Sequence, residues 1–122
     1  MSIVTSIIIT FPYSEDERDR VKEINEFEFS GRKYIFNWID ENTGPDRSSE
    51  CYAGNKSFNS VVLLASYNNF PEEAFLEYIS SKVKWLDEDS VQVFINSEKS
   101  NDRSYKVYMN AGRKLICDSL KM

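Results

Sequence analysis

Tyr78 and Lys82 stand at the Tyr-x-x-x-Lys spacing with which a lysine lowers a tyrosine's pKa for proton transfer beside a bound dinucleotide. That chemistry needs a glycine-rich turn between a strand and a helix to seat the pyrophosphate, and no such turn precedes the pair. Tyr78 therefore reads as core and Lys82 as a solvated helix end. Ser30 and Lys33 match the Ser-x-x-Lys spacing of serine acylation, which sets both residues on one helical turn. Gly31 between them points instead to a turn leading into a strand. The loop Asp40-Glu41-Asn42-Thr43-Gly44-Pro45-Asp46 alternates oxygen ligands, as a calcium loop does. Such a loop wants glycine at its sixth position and a bidentate glutamate at its twelfth, where this one has Pro45 and Cys51. The carboxylates of Glu15 to Asp19 and Asp87 to Asp89 border element ends, where solvation explains them. The chain of 122 residues has no histidine and two cysteines, Cys51 and Cys117. The side chain best suited to proton transfer near neutral pH is missing, and so is a zinc ligand set. We expect no catalytic residue, no metal site and no cofactor.

Composition narrows the partners. Twenty acids against 15 bases give a net charge of −5. Such a chain repels phosphate backbones and anionic lipid and suits a basic protein surface. The densest basic run is Arg113-Lys114, too short for a nucleic-acid patch. The aromatic content of 14% supplies core anchors and also the ring types that enrich protein interfaces. Residues 1–10 lack the basic and small-residue features of a secretory leader, and no stretch approaches a membrane span. The expected setting is the cytoplasm, with both cysteines reduced.

These residues must be carried by a small set of elements. Ile3 to Phe11 is rich in β-branched residues and reads as a buried central strand ended by Pro12. Ser14 and Glu17 form a capping box before a helix expected over 14–28, with Val21, Ile24 and Phe27 as its apolar stripe. A second strand is predicted over 33–39 and a loop over 40–50. Residues 58–67, centred on Val61-Val62-Leu63-Leu64, read as another interior strand. Asn68 and Asn69 can cap a second helix that tolerates Pro71 in its first turn and closes on Lys82 and Lys84. Residues 90–95 and 104–109 then form a hairpin, and the tail 111–122 can dock as helix or strand. The order β-α-β-β-α-β-β predicts one α+β domain of ferredoxin-like type, both helices on one face of a mostly antiparallel sheet. The third strand carries aliphatics where an RNA-binding sheet of this shape would carry stacking rings.

Asn69-Phe70, Phe75-Leu76, Trp85 and Val91-Gln92-Val93, followed by Asp102-Arg103 and Tyr105, form a pattern with the opening Thr5-Ser6-Ile7. In these residues the chain resembles a group of small bacterial and phage proteins. The resemblance implies a bacterial cell or a phage-infected host and a shared fold, and carries no activity with it. The expected function is a non-catalytic protein-binding domain, an acidic inhibitor such as an immunity protein or a phage counter-defence protein. The expected contact surface is Trp38, Asp40, Glu41, Asp46, Glu50 and Tyr52, with Glu15, Asp16 and Asp19 of the first helix as a second acidic patch. A small-molecule-binding regulatory domain is the alternative. An edge strand would also let two copies pair.

Overall fold

The computed structural model describes residues 3–15, 18–38, 60–98 and 104–121. It is an α+β fold with two helices and a mostly antiparallel sheet. The elements are β1 (Val4–Pro12), α1 (Asp19–Ile24), β2 (Glu28–Phe29), β3 (Arg32–Lys33), β4 (Asn37–Trp38), β5 (Ser60–Asn68), α2 (Glu72–Ser81), β6 (Gln92–Ser97), β7 (Ser104–Met109) and β8 (Lys114–Lys121). Six strands form one sheet in the order β4-β5-β1-β6-β7-β8, and β2 with β3 makes a separate hairpin. The sheet thus runs beyond the four-stranded ferredoxin-like order, with eight strands among the described residues where five were expected.

Alternation along β1 sets the core. Thr5, Ile7, Ile9 and Phe11 point inward and are buried, while Val4, Ser6, Ile8 and Thr10 face the other way and are half-buried. The antiparallel registers Ile9↔Leu63, Phe11↔Val61, Ile7↔Ile95 and Ile9↔Val93 carry that inward row across β5 and β6. Ile24 from α1 and Phe75 and Ile79 from α2 close over it in one cluster. Leu64, on the opposite side of β5, is exposed, so the continuous apolar run there does not mean burial on both faces.

Between helices and sheet lies an aromatic core. Phe36 stacks on Phe75 at 5.0 Å, and Phe27 and Phe70 each meet Phe75 edge-on at 5.1 Å. These contacts account for much of the aromatic content as packing. Phe70, Phe75, Val91 and Val93 are all core residues.

Local expectations are corrected at α1, at residues 33–39 and at α2. Helix α1 spans Asp19–Ile24 rather than 14–28, with Arg18 at its cap position making no side-chain cap bond; Glu17 of the expected capping box lies outside the described residues. Phe27 is buried after the helix has ended, because Asn25 stops it: its Oδ1 accepts from the Phe36 amide at 2.7 Å and its Nδ2 donates to the Phe36 oxygen at 3.3 Å. The strand expected over 33–39 is broken, since Tyr34 and Phe36 turn into the core and, among the described residues, only Asn37 and Trp38 of this stretch pair with β5; Ile39 lies outside the described residues. Ser30 (φ 52°) and Gly31 (φ 78°) form a left-handed turn between β2 and β3. Helix α2 stops at Ser81, so Lys82 and Lys84 lie outside it, and Pro71 rather than an asparagine occupies its cap position. Asn69, at φ 54°, instead clasps the start of β1: its amide donates to the Ile3 oxygen at 2.7 Å, and its Oδ1 accepts from the Ile3 amide at 3.2 Å.

The tail, open between helix and strand in the sequence, is strand β8, antiparallel to β7. The turn before it holds Gly112 at φ 92°, where an added Cβ would sit 2.9 Å from the Leu76 Cδ2. No helix among the described residues is long and apolar enough to cross a membrane.

Candidate functional site

The inward face of the sheet changes character at one end. Ile7 and Ile9 give way to Thr5, which pairs in register with Ser97, while Ile95 pairs with Lys106 of β7. Helix α2 begins only at Glu72, and its first turn stands over this polar end without filling it. The result is a cleft of about 840 Å³, a size that small ligands or a partner's side chains occupy.

Ile3, Phe70, Ala74 and Ile95 supply the apolar part of its lining. Phe29, carried there by the β2–β3 hairpin, lines the mouth and remains 44% exposed. Phe27 and Tyr34, buried at the base of that hairpin and 5.8 Å apart between ring centroids, fix its position. Three carboxylates of α2 also line it: Glu72, Glu73 and Glu77. Glu72 and Glu73 occupy the first turn, where the helix dipole favours negative charge.

The charge balance in the cleft is negative. Lys106 is its one base, and its Nζ lies 3.8 Å from Glu72 Oε2. Glu73 and Glu77 make no ion pair among the described residues. Thr5, also on the cleft lining, is 2% exposed as a residue, and its hydroxyl donates to the Ser97 hydroxyl at 3.5 Å. That separation is longer than a close O–H···O bond, so Thr5 keeps hydrogen-bonding capacity. Tyr108 packs against the core nearby; burial first, then Glu72, pushes its phenol pKa up and keeps it neutral.

The chemically suggestive pairs are used structurally. Tyr78 donates its hydroxyl to the Glu23 backbone oxygen at 2.6 Å. Burial, then Glu26 and Glu23, raise its pKa, the opposite of what proton abstraction by a tyrosinate requires. Ser30 and Lys33 are both exposed on the β2–β3 hairpin rather than on a helical turn. Asp87 accepts from the Ser90 hydroxyl at 2.6 Å, and Glu88 pairs with Arg113 at 3.5 Å. No group of three His, Cys, Asp or Glu residues that could hold a metal occurs among the described residues.

Of the expected contact residues, Trp38, Glu15 and Asp19 are described; Asp16, Asp40, Glu41, Asp46, Glu50 and Tyr52 lie outside the described residues, as does the loop 40–50. Trp38 is half-buried on the short strand β4 and packs against Tyr13 at 6.3 Å, and its Nε1 is shielded with no partner among the described residues. Glu15 and Asp19 are exposed near the start of α1. None of the three lines the cleft. Glu72, Glu73, Glu77 and Phe29 were not among the residues expected from the sequence to make contacts. The available signal was Thr5, a polar residue at an inward position of an otherwise aliphatic strand.

Comparison with protein-family models, with curated proteins and with solved structures finds no match.

Proposed function

We propose that this protein is a non-catalytic binding domain for a protein partner with a basic surface, acting as an acidic inhibitor of the immunity-protein or phage counter-defence kind in the cytoplasm. The observation that carries the proposal is the cleft at the start of α2, with three carboxylates, one lysine and an exposed aromatic at its mouth. Its composition resembles an interface centre, a ring anchor beside charges that guide encounter. The net charge of −5 acts in the same direction over longer range. The acids around α1 extend the acidic surface in this proposal, and Trp38 with the loop 40–50 supplies a second contact region. For the fold, we propose that β4-β5-β1-β6 with the two helices is a ferredoxin-like core to which β7 and β8 are added.

The test is capture of partners on the immobilised intact chain from bacterial lysate, repeated with Glu73→Gln/Glu77→Gln. A stoichiometric basic protein, retained by the native chain and lost with the double variant, is the expected result. Failure to retain any stoichiometric protein overturns the reading.

The alternative is a small-molecule-binding regulatory domain, favoured by the cleft volume alone. It predicts a rise in melting temperature with one member of a panel of amino acids and nucleotides. A flat response removes it.

A further inference from the structure

We infer that the cleft is a receptor for an arginine side chain presented by the partner's basic segment; this rests on the protein-binding reading above and names the chemistry of its central contact. Glu73 and Glu77 stand at i and i+4 on α2, so their Cβ atoms lie about 5–6 Å apart on one helical face. A planar guanidinium with five donors can bridge two carboxylates at that spacing, whereas an ammonium acts as a point charge. Lys106 offsets Glu72 and leaves the other two carboxylates as the net charge of the rim.

Two further features favour arginine over other cations. Phe29 presents a ring at the mouth on a hairpin whose base is locked in the core, and a guanidinium stacks on such a face. On the same cleft, Thr5 is buried and its hydroxyl donates to Ser97 at 3.5 Å, so its oxygen can accept an N–H. The apolar wall of Phe70 and Ala74 suits the methylene stem of the entering side chain.

The probe is an acetylated, amidated arginine-rich peptide titrated into the intact protein and followed by backbone NMR shifts. Peptides of the same length bearing lysine or citrulline in place of arginine serve as comparisons. The inference expects shifts concentrated at Phe29, Thr5, Glu73 and Glu77, weaker binding of the lysine peptide and none of the citrulline peptide. Glu73→Gln and Glu77→Gln should each weaken the arginine peptide about tenfold, and Phe29→Ala about threefold; all three side chains are exposed, so the fold should survive. Equal binding by the citrulline peptide, or unchanged affinity in both glutamine variants, overturns the inference. Shifts confined to Glu15 and Asp19 overturn the cleft assignment while leaving the protein-binding reading standing. No shift anywhere with any cationic peptide removes both.

Discussion

Tyr78 donates to the Glu23 oxygen at 2.6 Å, and this one bond joins α2 to α1. Tyr78→Phe removes the hydroxyl and leaves that oxygen without this donor, so it should cost about 1 kcal/mol in urea unfolding. The same residue sets an alkaline limit. In the unfolded chain a phenol ionises near 10.0, whereas in the folded protein burial and neighbouring glutamates raise the pKa of both Tyr78 and Tyr108. The stabilisation is complete below pH 10 and is lost as pH climbs through the raised folded values, because the unfolded state releases its protons first. Melting temperature should therefore fall more steeply above pH 10 than below it, and Tyr78→Phe should flatten part of that fall. An alkaline limb identical in the variant would mean that Tyr78 does not contribute to it.

At the level of elements, the sequence carried periodicity better than it carried interruption. Inward residues of β1, β5 and β6 follow period-two patterning, and Ala74, Phe75, Tyr78 and Ile79 follow helical spacing, so both kinds of element were legible. The end of α1 was not. It depends on Asn25 reaching Phe36, a contact between residues eleven apart that no local propensity encodes. Asn25→Ala should cost about 1–2 kcal/mol, since it removes two bonds to one backbone unit, and should speed hydrogen exchange at the Phe36 amide more than at Ile9. Equal exchange at both amides would show that Asn25 does not act locally. The cleft was illegible for a related reason: it is a gap where α2 begins short of the sheet's end, and gaps leave no periodic trace. One end strand of the six-stranded sheet is β8, on which Leu115 is 47% and Ile116 53% exposed. Pairing passes from Tyr105↔Leu120 through Val107↔Cys117 to Tyr108↔Leu115, so each register shift puts its extra residue on β8. Such bulges twist an edge away from a flat partner, and the exposed Lys114 begins the strand with charge. The protein should therefore sediment as a monomer. A dimer dispersed by Ile116→Lys would show that the edge pairs despite its bulges.

For the whole molecule, the decisive property is how one acidic cleft sits within an acidic field. The net charge of −5 attracts any basic partner from a distance, while Glu73, Glu77 and Phe29 act only on contact. These contributions separate with salt, because the screening length shrinks from about 10 Å at 0.1 M to about 3 Å at 1 M. Long-range attraction should vanish over that range, whereas contact between a guanidinium and partly desolvated carboxylates should persist in part. For the arginine-rich peptide, the association rate should fall steeply between 0.1 M and 1 M NaCl, and the dissociation rate should change little. In Glu73→Gln/Glu77→Gln the pattern should invert: dissociation quickens at every salt concentration, while the salt slope of association drops only by the share of two charges. Stopped-flow fluorescence from a dansyl group on the peptide measures both rates. If salt and the double variant alter the same rate by similar factors, the cleft is only part of the general acidic field and does not act as a receptor.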